Sequence, residues 1–478
     1  MKAFTEPLLS LAGFEEMTKT AEKSSGLISV TGCIDAQKSQ MIYAFGGHRK
    51  NKLIVTFGEQ KAKELYDEYS FFDKEVVYYP SKDVLFYQSD IRGNLLTAER
   101  IRALKAIHEQ ERVTLVTTFD ALMNTMAPIE KMWENVLTLE QGQLLDLKEI
   151  QAALIRMGYE KEYQVQTMGQ FSVRGGILDV FPLTEENPIR IELWGDEIDT
   201  IRYFDCESQK SIENIDRVSI YPAAELVLSD EEKAGGIEKL KAEAKRVSDK
   251  LRKQMKTEEA HRVTVMADEL TEEWGELSMY AGMDAFLSYF FDERVGLLDY
   301  FKPSDSLIFF DELTRCAEQG KLTETEFSES MKQRLAMGYI LPGQMNGLFT
   351  EKEIVAKLGK YSCIALAALD NKANGLHQLG SYGIHCQSVS PYNNSFELLI
   401  KDLKRYKKNG YRVILLSGSR TRAKRLSEDT CKADWILHIN LINNPFQTGM
   451  PVYCFQNSTC CRRCHNIIRT SFNLHLRS

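Results

Sequence analysis

Over the first 125 residues, short apolar runs alternate with helix-spaced patterns. "LISVTG", "KLIVTF", "EVVYYP" and "RVTLVTTFD" each predict a buried strand, because near-continuous apolar and β-branched runs leave no polar face. Between them, "EQKAKELYDEY" and "TAERIRALKAIHEQ" place apolar residues at helical spacing, Ile101, Leu104 and Ile107 in the second. Strands alternating with helices predict a parallel sheet covered by helices. Thr97 is the expected N-cap of the second helix.

From about Asp146 the pattern changes. "DLKEIQAALIRMGY" predicts one amphipathic helix, after which "QFSVRGGILDVFP" and "PIRIELWGDEIDTIRYFD" show period-two alternation broken by Gly-Gly and Gly-Asp turns. This predicts a small mixed module inserted between α/β segments. Ser229 to about Glu276 is charged and helical, with Ser229 and Glu232 at capping-box spacing. "SDSLIFFDEL" then reads as a strand ending in two acids. The last regular unit, "FELLIKDLKRYKKNGYRVILLSGSRTRAKRLSED", reads as helix, Gly410 stop, strand and helix. Beyond Asp429 neither period is sustained over a full element, and the break falls in mid-helix.

The total of 478 residues allows roughly three domains. The 43% hydrophobic and 27% charged composition is that of a soluble globular chain, and no apolar run reaches a membrane-spanning length. With no secretory leader pattern at the N-terminus, a cytoplasmic location is expected. The net charge of −8 excludes a sequence-wide nucleic-acid binder but leaves local basic patches open. Five of the ten cysteines lie in the last 48 residues: Cys431, Cys454, Cys460, Cys461 and Cys464.

Four motifs bear on chemistry. "GCIDAQKS" matches the phosphate-cradling pattern G-x-x-x-x-G-K-[ST] at Gly32, Lys38 and Ser39, but Gln37 stands where the second glycine should be. A side chain there obstructs the close approach of backbone to phosphate. Asp311 and Glu312 are the candidate Mg²⁺ carboxylates, with a solvated strand end as the bland reading. A degenerate loop kept as a fold element is the favoured interpretation. In "PIRIELW", Ile189, Ile191 and Leu193 face one way and Arg190, Glu192 and Trp194 the other. Arg174 lies likewise opposite Phe171 and Val173. An outward Arg–Trp–Arg set has the composition of an interface hot spot, weighed evenly against a solvated face with one stray aromatic. "CRRCH", Cys461 to His465, formally matches haem attachment or a partial zinc set, with chance in an unstructured tail preferred. The basic runs Lys404–Lys408 and Ser419–Arg425 read as solvated helix faces, leaving a weak DNA contact as the lesser reading.

"GQFSVRGGILDVFP", "IELWGDEIDTIRYFD" and "IYPAAE", in that order, resemble the UvrB-homology region of bacterial transcription-repair coupling factors (the Mfd family), and UvrB itself more distantly. "TTFDALMNTMAP" and "GYRVILLSGSRTRAKRL" also resemble that family, so the resemblance covers about residues 1 to 429. It implies a helicase-like α/β fold with a degenerate P-loop at Gly32, Gln37, Lys38 and Ser39. It implies a degenerate acidic box at Asp311 and Glu312, and an inserted UvrA-recruiting module whose contacts fall on Arg174, Arg190 and Trp194. The divisions expected are residues 1–127 and 222–345 for the helicase-type lobe, 128–221 for the inserted module, and 346–429 for a further α/β domain. Residues 430–478 are expected to be an atypical, disordered or out-of-frame tail. The family's RNA-polymerase-binding module and ATP-dependent translocase lobes are not recognisable. The resemblance therefore implies no enzymatic activity of the chain's own, no cofactor, no metal and no membrane partner. The alternatives are a helicase remnant with residual ATP or DNA binding, and a truncated product with no independent role.

Overall fold

In this computed structural model, the structure describes residues 2–9, 11, 13–45, 49–82, 93–276, 283–369, 375–385, 389, 392–393, 395–411, 413–417, 420–432, 438–442 and 452–456. The four predicted N-terminal runs are strands β1 (Gly26–Thr31), β2 (Asn51–Thr56), β3 (Val77–Tyr79) and β4 (Thr114–Thr118). Helices Asp35–Phe45, Glu59–Tyr69 and Gly93–Glu109 connect them. The third helix begins at Gly93, so Thr97 lies within it rather than capping it.

The inserted module follows as β5 (Leu137–Glu140), β6 (Glu160–Lys161), β7 (Gln170–Arg174), β8 (Ile177–Val180), β9 (Ile189–Trp194), β10 (Glu197–Phe204), β11 (Ser211–Ile215) and β12 (Arg217–Ile220). Strands β6 to β11 make a six-stranded sheet in which each strand neighbours the next in sequence, while β5 pairs with β12. The expected amphipathic helix, Leu147–Arg156, is capped by the Asp146 side chain. It packs with the apolar face of the sheet, where Phe171, Leu178, Val180, Ile189 and Ile191 are fully buried. The module's sheet begins after the expected boundary at residue 128, because Ile129 and Met132 are buried in the large lobe's core.

The Ser229 capping box is present and opens the first of two long helices, Asp230–Lys253 and Thr257–Glu276. The chain then returns to the large sheet through β13 (Ser306–Asp311), β14 (Ser362–Ala367) and β15 (Gln378–Gly383). The seven-stranded order is β15-β1-β14-β13-β2-β4-β3, and every pairing in it is parallel. Strands β14 and β15 fall within the residues expected to form a further domain, so that unit begins later than 346. Both faces of the sheet are covered. Leu53 and Val55 belong to one buried cluster and Ile54, between them, to the other. That two-sided burial is why these strands read as unbroken apolar runs.

The final unit has helices Phe396–Lys408 and Arg420–Lys432 around β16 (Ile414–Ser417). Gly410 follows the first helix with φ +76°, as the sequence pattern predicts. Strands β17 (His438–Ile442) and β18 (Val452–Gln456) complete a three-stranded sheet, β16-β18-β17, inside the segment where no periodicity was legible. Cys460, Cys461, Cys464 and His465 lie outside the described residues.

A buried charge network ties the module's C-terminal end to the large lobe. Arg100, wholly buried, donates through Nε to Glu225 Oε1 at 2.6 Å and through Nη2 to Oε2 at 3.0 Å. Its Nη1 donates to the Pro80 carbonyl at 2.6 Å, and its guanidinium stacks 4.1 Å over the Tyr79 ring. Lys82 adds ion pairs to Glu225 at 3.2 Å and to Asp284 at 2.5 Å. Burial alone would raise the Glu225 pKa, but Arg100 and Lys82 outweigh it and hold it at about 2.

Candidate functional site

The structure separates the two sets of residues singled out from the sequence. The first set lies at the carboxyl ends of the large sheet's strands. Strand β1 ends at Thr31, and Gly32 turns with φ +80°. A Cβ there would stand 1.9 Å from the Ile384 carbonyl oxygen, so only glycine fits. The next helix starts at Asp35, which places Gln37, Lys38 and Ser39 inside it. Backbone donors that a phosphate cradle would expose are engaged elsewhere: Cys33 N–H on the Ala367 carbonyl at 3.0 Å, Gln37 N–H on Ile34 at 2.9 Å.

Lys38 is 2% exposed, and its ammonium faces three carboxylates: Asp311 at 2.5 Å, Glu312 at 2.8 Å and Asp35 at 3.0 Å. An ammonium has three donors, and here each has a carboxylate. Burial opposes its charge, but Asp311, Glu312 and Asp35 together hold its pKa above the ordinary lysine value. Asp311 also accepts from Thr56 Oγ1 at 3.0 Å, and Ser39 Oγ donates to Glu68 at 3.2 Å. Glu312 adopts a left-handed backbone, φ +58°, and its carboxylate accepts from the Ala368 N–H at 3.0 Å. The loop lysine's charge is thus taken up entirely within the fold by the acidic box and Asp35. A nucleotide phosphate would have to displace three carboxylates from Lys38, so these residues as arranged do not fit a phosphate cradle. Among the described residues no group of His, Cys, Asp or Glu is arranged to hold a metal ion.

Of the second set, Arg174 and Arg190 come together on the outer face of the six-stranded sheet. Asp179 on β8 stands directly opposite Arg190 on β9, and opposite Ser172 on β7, which places Arg174 diagonally across from it. Arg190 donates to Asp179 through Nε at 2.7 Å and Nη2 at 2.9 Å, a bidentate pairing. Arg174 donates to the same carboxylate at 3.0 Å. Gln209 accepts from Arg190 Nη2 at 2.8 Å, and the guanidinium lies 4.3 Å above the Phe204 ring. The hydrogen bonds Arg190 donates to Asp179 raise its pKa against the opposing effect of burial. Next to them Arg202 and Glu192 pair with each other, leaving that couple neutral.

Arg190 therefore faces outward, as the alternation predicted, but its side chain is only 12% exposed, against 37% for Arg174. Trp194 is different: 85% exposed, at the turn where Gly195 takes φ +66°. Leu144, 75% exposed, bridges to Glu197, which in turn pairs with Trp194. Two large exposed apolar side chains thus lie at the β9–β10 turn end of this sheet. Sequence reading missed Asp179, Gln209 and Phe204. The available signal was an acid at an outward position of "ILDVFP", between strands that each carry an outward arginine.

The basic run Lys404–Lys408 lies on the helix Phe396–Lys408. Lys404, Arg405, Lys407 and Lys408 are exposed, and Arg405 pairs with Asp402 at 2.9 Å. Among the described residues no helix is long and apolar enough to cross a membrane.

Residues 137–226, which span β5 to β12, match the family model of the UvrB interaction domain. Relatives extend the match to most of the chain. The transcription-repair-coupling factor of Bacillus subtilis is 27% identical over 376 residues, 78% of this chain and 31% of its own length. Those of Staphylococcus haemolyticus and Staphylococcus aureus MRSA252 are each 26% identical, over 84% and 86% of this chain. The resemblance read from the sequence thus holds over about four fifths of the chain, which spans about a third of the length of the curated relatives it matches.

Proposed function

We propose that this chain acts by binding, as the UvrA-recruiting portion of a transcription-repair coupling factor in nucleotide excision repair. The observation that carries the reading is the exposed Trp194 at the end of the strand that also carries Arg190, on the outer face of a sheet whose inner face is packed. A tryptophan so exposed gains nothing for folding and has most of its surface to bury against a partner. Arg174 and Arg190 retain N–H donors beyond those given to Asp179 and Gln209, and carboxylates on the partner are their complement.

The match of residues 137–226 to the UvrB interaction domain supports the module as the contact. The internal neutralisation of Lys38 supports a chain that does no phosphate chemistry of its own. ATP and Mg²⁺ would then belong to other parts of the family's full-length proteins. Calorimetric titration of purified UvrA into the full chain tests the reading: Arg190→Ala should cost about 2 kcal/mol or more of binding free energy. Wild-type affinity in that variant would remove the arginine from the contact.

A further inference from the structure

Among the described residues, Asp179 is the one acidic side chain that contacts both proposed arginines. It is 1% exposed, although it lies on the polar face of its sheet. A carboxylate taken out of water needs compensation, and here the two guanidinium groups supply three charge-assisted hydrogen bonds. We infer that Asp179 is the positioning residue of the recruiting face, holding Arg174 and Arg190 in the orientation a partner carboxylate meets. This inference rests on the function proposed above.

The geometry states what is held and what is offered. On Arg190, Nε and Nη2 go to Asp179 and Gln209, and Phe204 supports the plane of the guanidinium from below. Nη1 is left for a partner. Arg174 commits only Nη2, so its Nε and Nη1 are left. The cluster has two cations and one anion, an excess of one positive charge on a partly dried surface. Two long side chains that would otherwise sample many rotamers are already ordered, so less freedom is lost on docking. The partner element that fits is a carboxylate-bearing surface segment able to accept from two guanidinium groups at once.

Positioning and plain charge make opposite predictions. Removing the Asp179 charge raises the local excess from one to two, so charge counting alone predicts tighter binding of an acidic partner. Positioning predicts weaker binding, because the arginines then repel each other and lose their anchor.

The test is a double-mutant cycle on the full chain, read by calorimetry with purified UvrA, with thermal unfolding followed alongside. Asp179→Asn should weaken binding about tenfold, and the loss should shrink when Arg190 is already alanine, to the part that acts through Arg174, since coupled residues are non-additive. In a Trp194→Ala background the loss should persist. Wild-type or tighter binding by Asp179→Asn, with Arg190→Ala still impaired, would overturn the positioning role and leave the recruiting face standing. Wild-type binding by Arg190→Ala and Trp194→Ala alike would overturn the face itself. If Asp179→Asn lowers the folded fraction, Gln209→Ala decides, because it removes only the second anchor. A smaller loss that disappears in the Arg190→Ala background supports positioning, and wild-type affinity overturns it.

Discussion

Lys38 and Arg190 each lie against a buried aspartate, and they differ in what is left over. Around Lys38 one ammonium meets three carboxylates, and every donor is used. Around Arg190 two guanidinium groups share one carboxylate, and donors remain. The first cluster sits at the carboxyl ends of a parallel sheet, where such folds commonly bind ligands. It is nevertheless closed by its own acids, which take all three donors of Lys38. The second lies on an outer sheet face, and the strand that carries Arg190 ends in an exposed tryptophan. A basic residue in a motif is available for binding only if its donors exceed its internal acceptors. That surplus separates a fold element from a contact surface here.

The largest effect expected from this contrast is on stability. Lys38→Ala leaves Asp311 buried without its cation, and breaking such a pair costs about 3–5 kcal/mol. Urea denaturation should show that loss, and Asp311→Asn in the same chain should restore part of it. A loss below about 1 kcal/mol would mean that the cluster is solvated and open.

The Arg100–Glu225 network gives a balanced reference between the two. Two cations, Arg100 and Lys82, face two carboxylates, Glu225 and Asp284. The Glu225 pKa is depressed to about 2 in the fold. Unfolded, a glutamate titrates near ~4.3. Its contribution is therefore complete above about pH 5 and is lost as pH falls through the range toward 2, roughly 3 kcal/mol in all. Comparing urea midpoints at pH 5 and pH 3 checks it, since Glu225→Gln should flatten part of that slope.

Next in size is Arg190→Ala, about 2 kcal/mol in UvrA affinity, or roughly 30-fold. Smallest is the effect of Trp194→Ala on folding, within about 0.5 kcal/mol because the side chain is exposed. Its effect on UvrA binding should match that of Arg190→Ala. If Trp194→Ala destabilised the chain by more than about 1 kcal/mol while UvrA affinity held, Trp194 would be a packing residue and the contrast would fail.

Much of this was legible in the sequence, for physical reasons that differ by region. The strands of the large sheet are buried on both faces, so Leu53, Ile54 and Val55 read as one run. The outward set Arg174, Arg190 and Trp194 was legible because a half-buried antiparallel strand alternates strictly. What escaped reading was long-range. Lys38 and Asp311, 273 positions apart, were legible as parts of one candidate nucleotide site, but nothing in "AQKS" or "FFDEL" states that they pair directly with each other. Asp179 was seen only as part of a strand, since its role depends on the register of β8 against β9. Strand β14 was missed in "YSCIALAAL", and with it the point at which the large sheet ends. The helix start at Gly93 was displaced because Thr97 offered a plausible cap that the fold does not use.

The most direct test places one preparation of the full chain in a calorimeter and titrates it first with purified UvrA, then separately with ATP and Mg²⁺. Saturable heat with UvrA, and none with the nucleotide, is the result expected of a surplus at Arg190 and none at Lys38. Saturable nucleotide heat that disappears in Lys38→Ala, with no heat from UvrA, would contradict it.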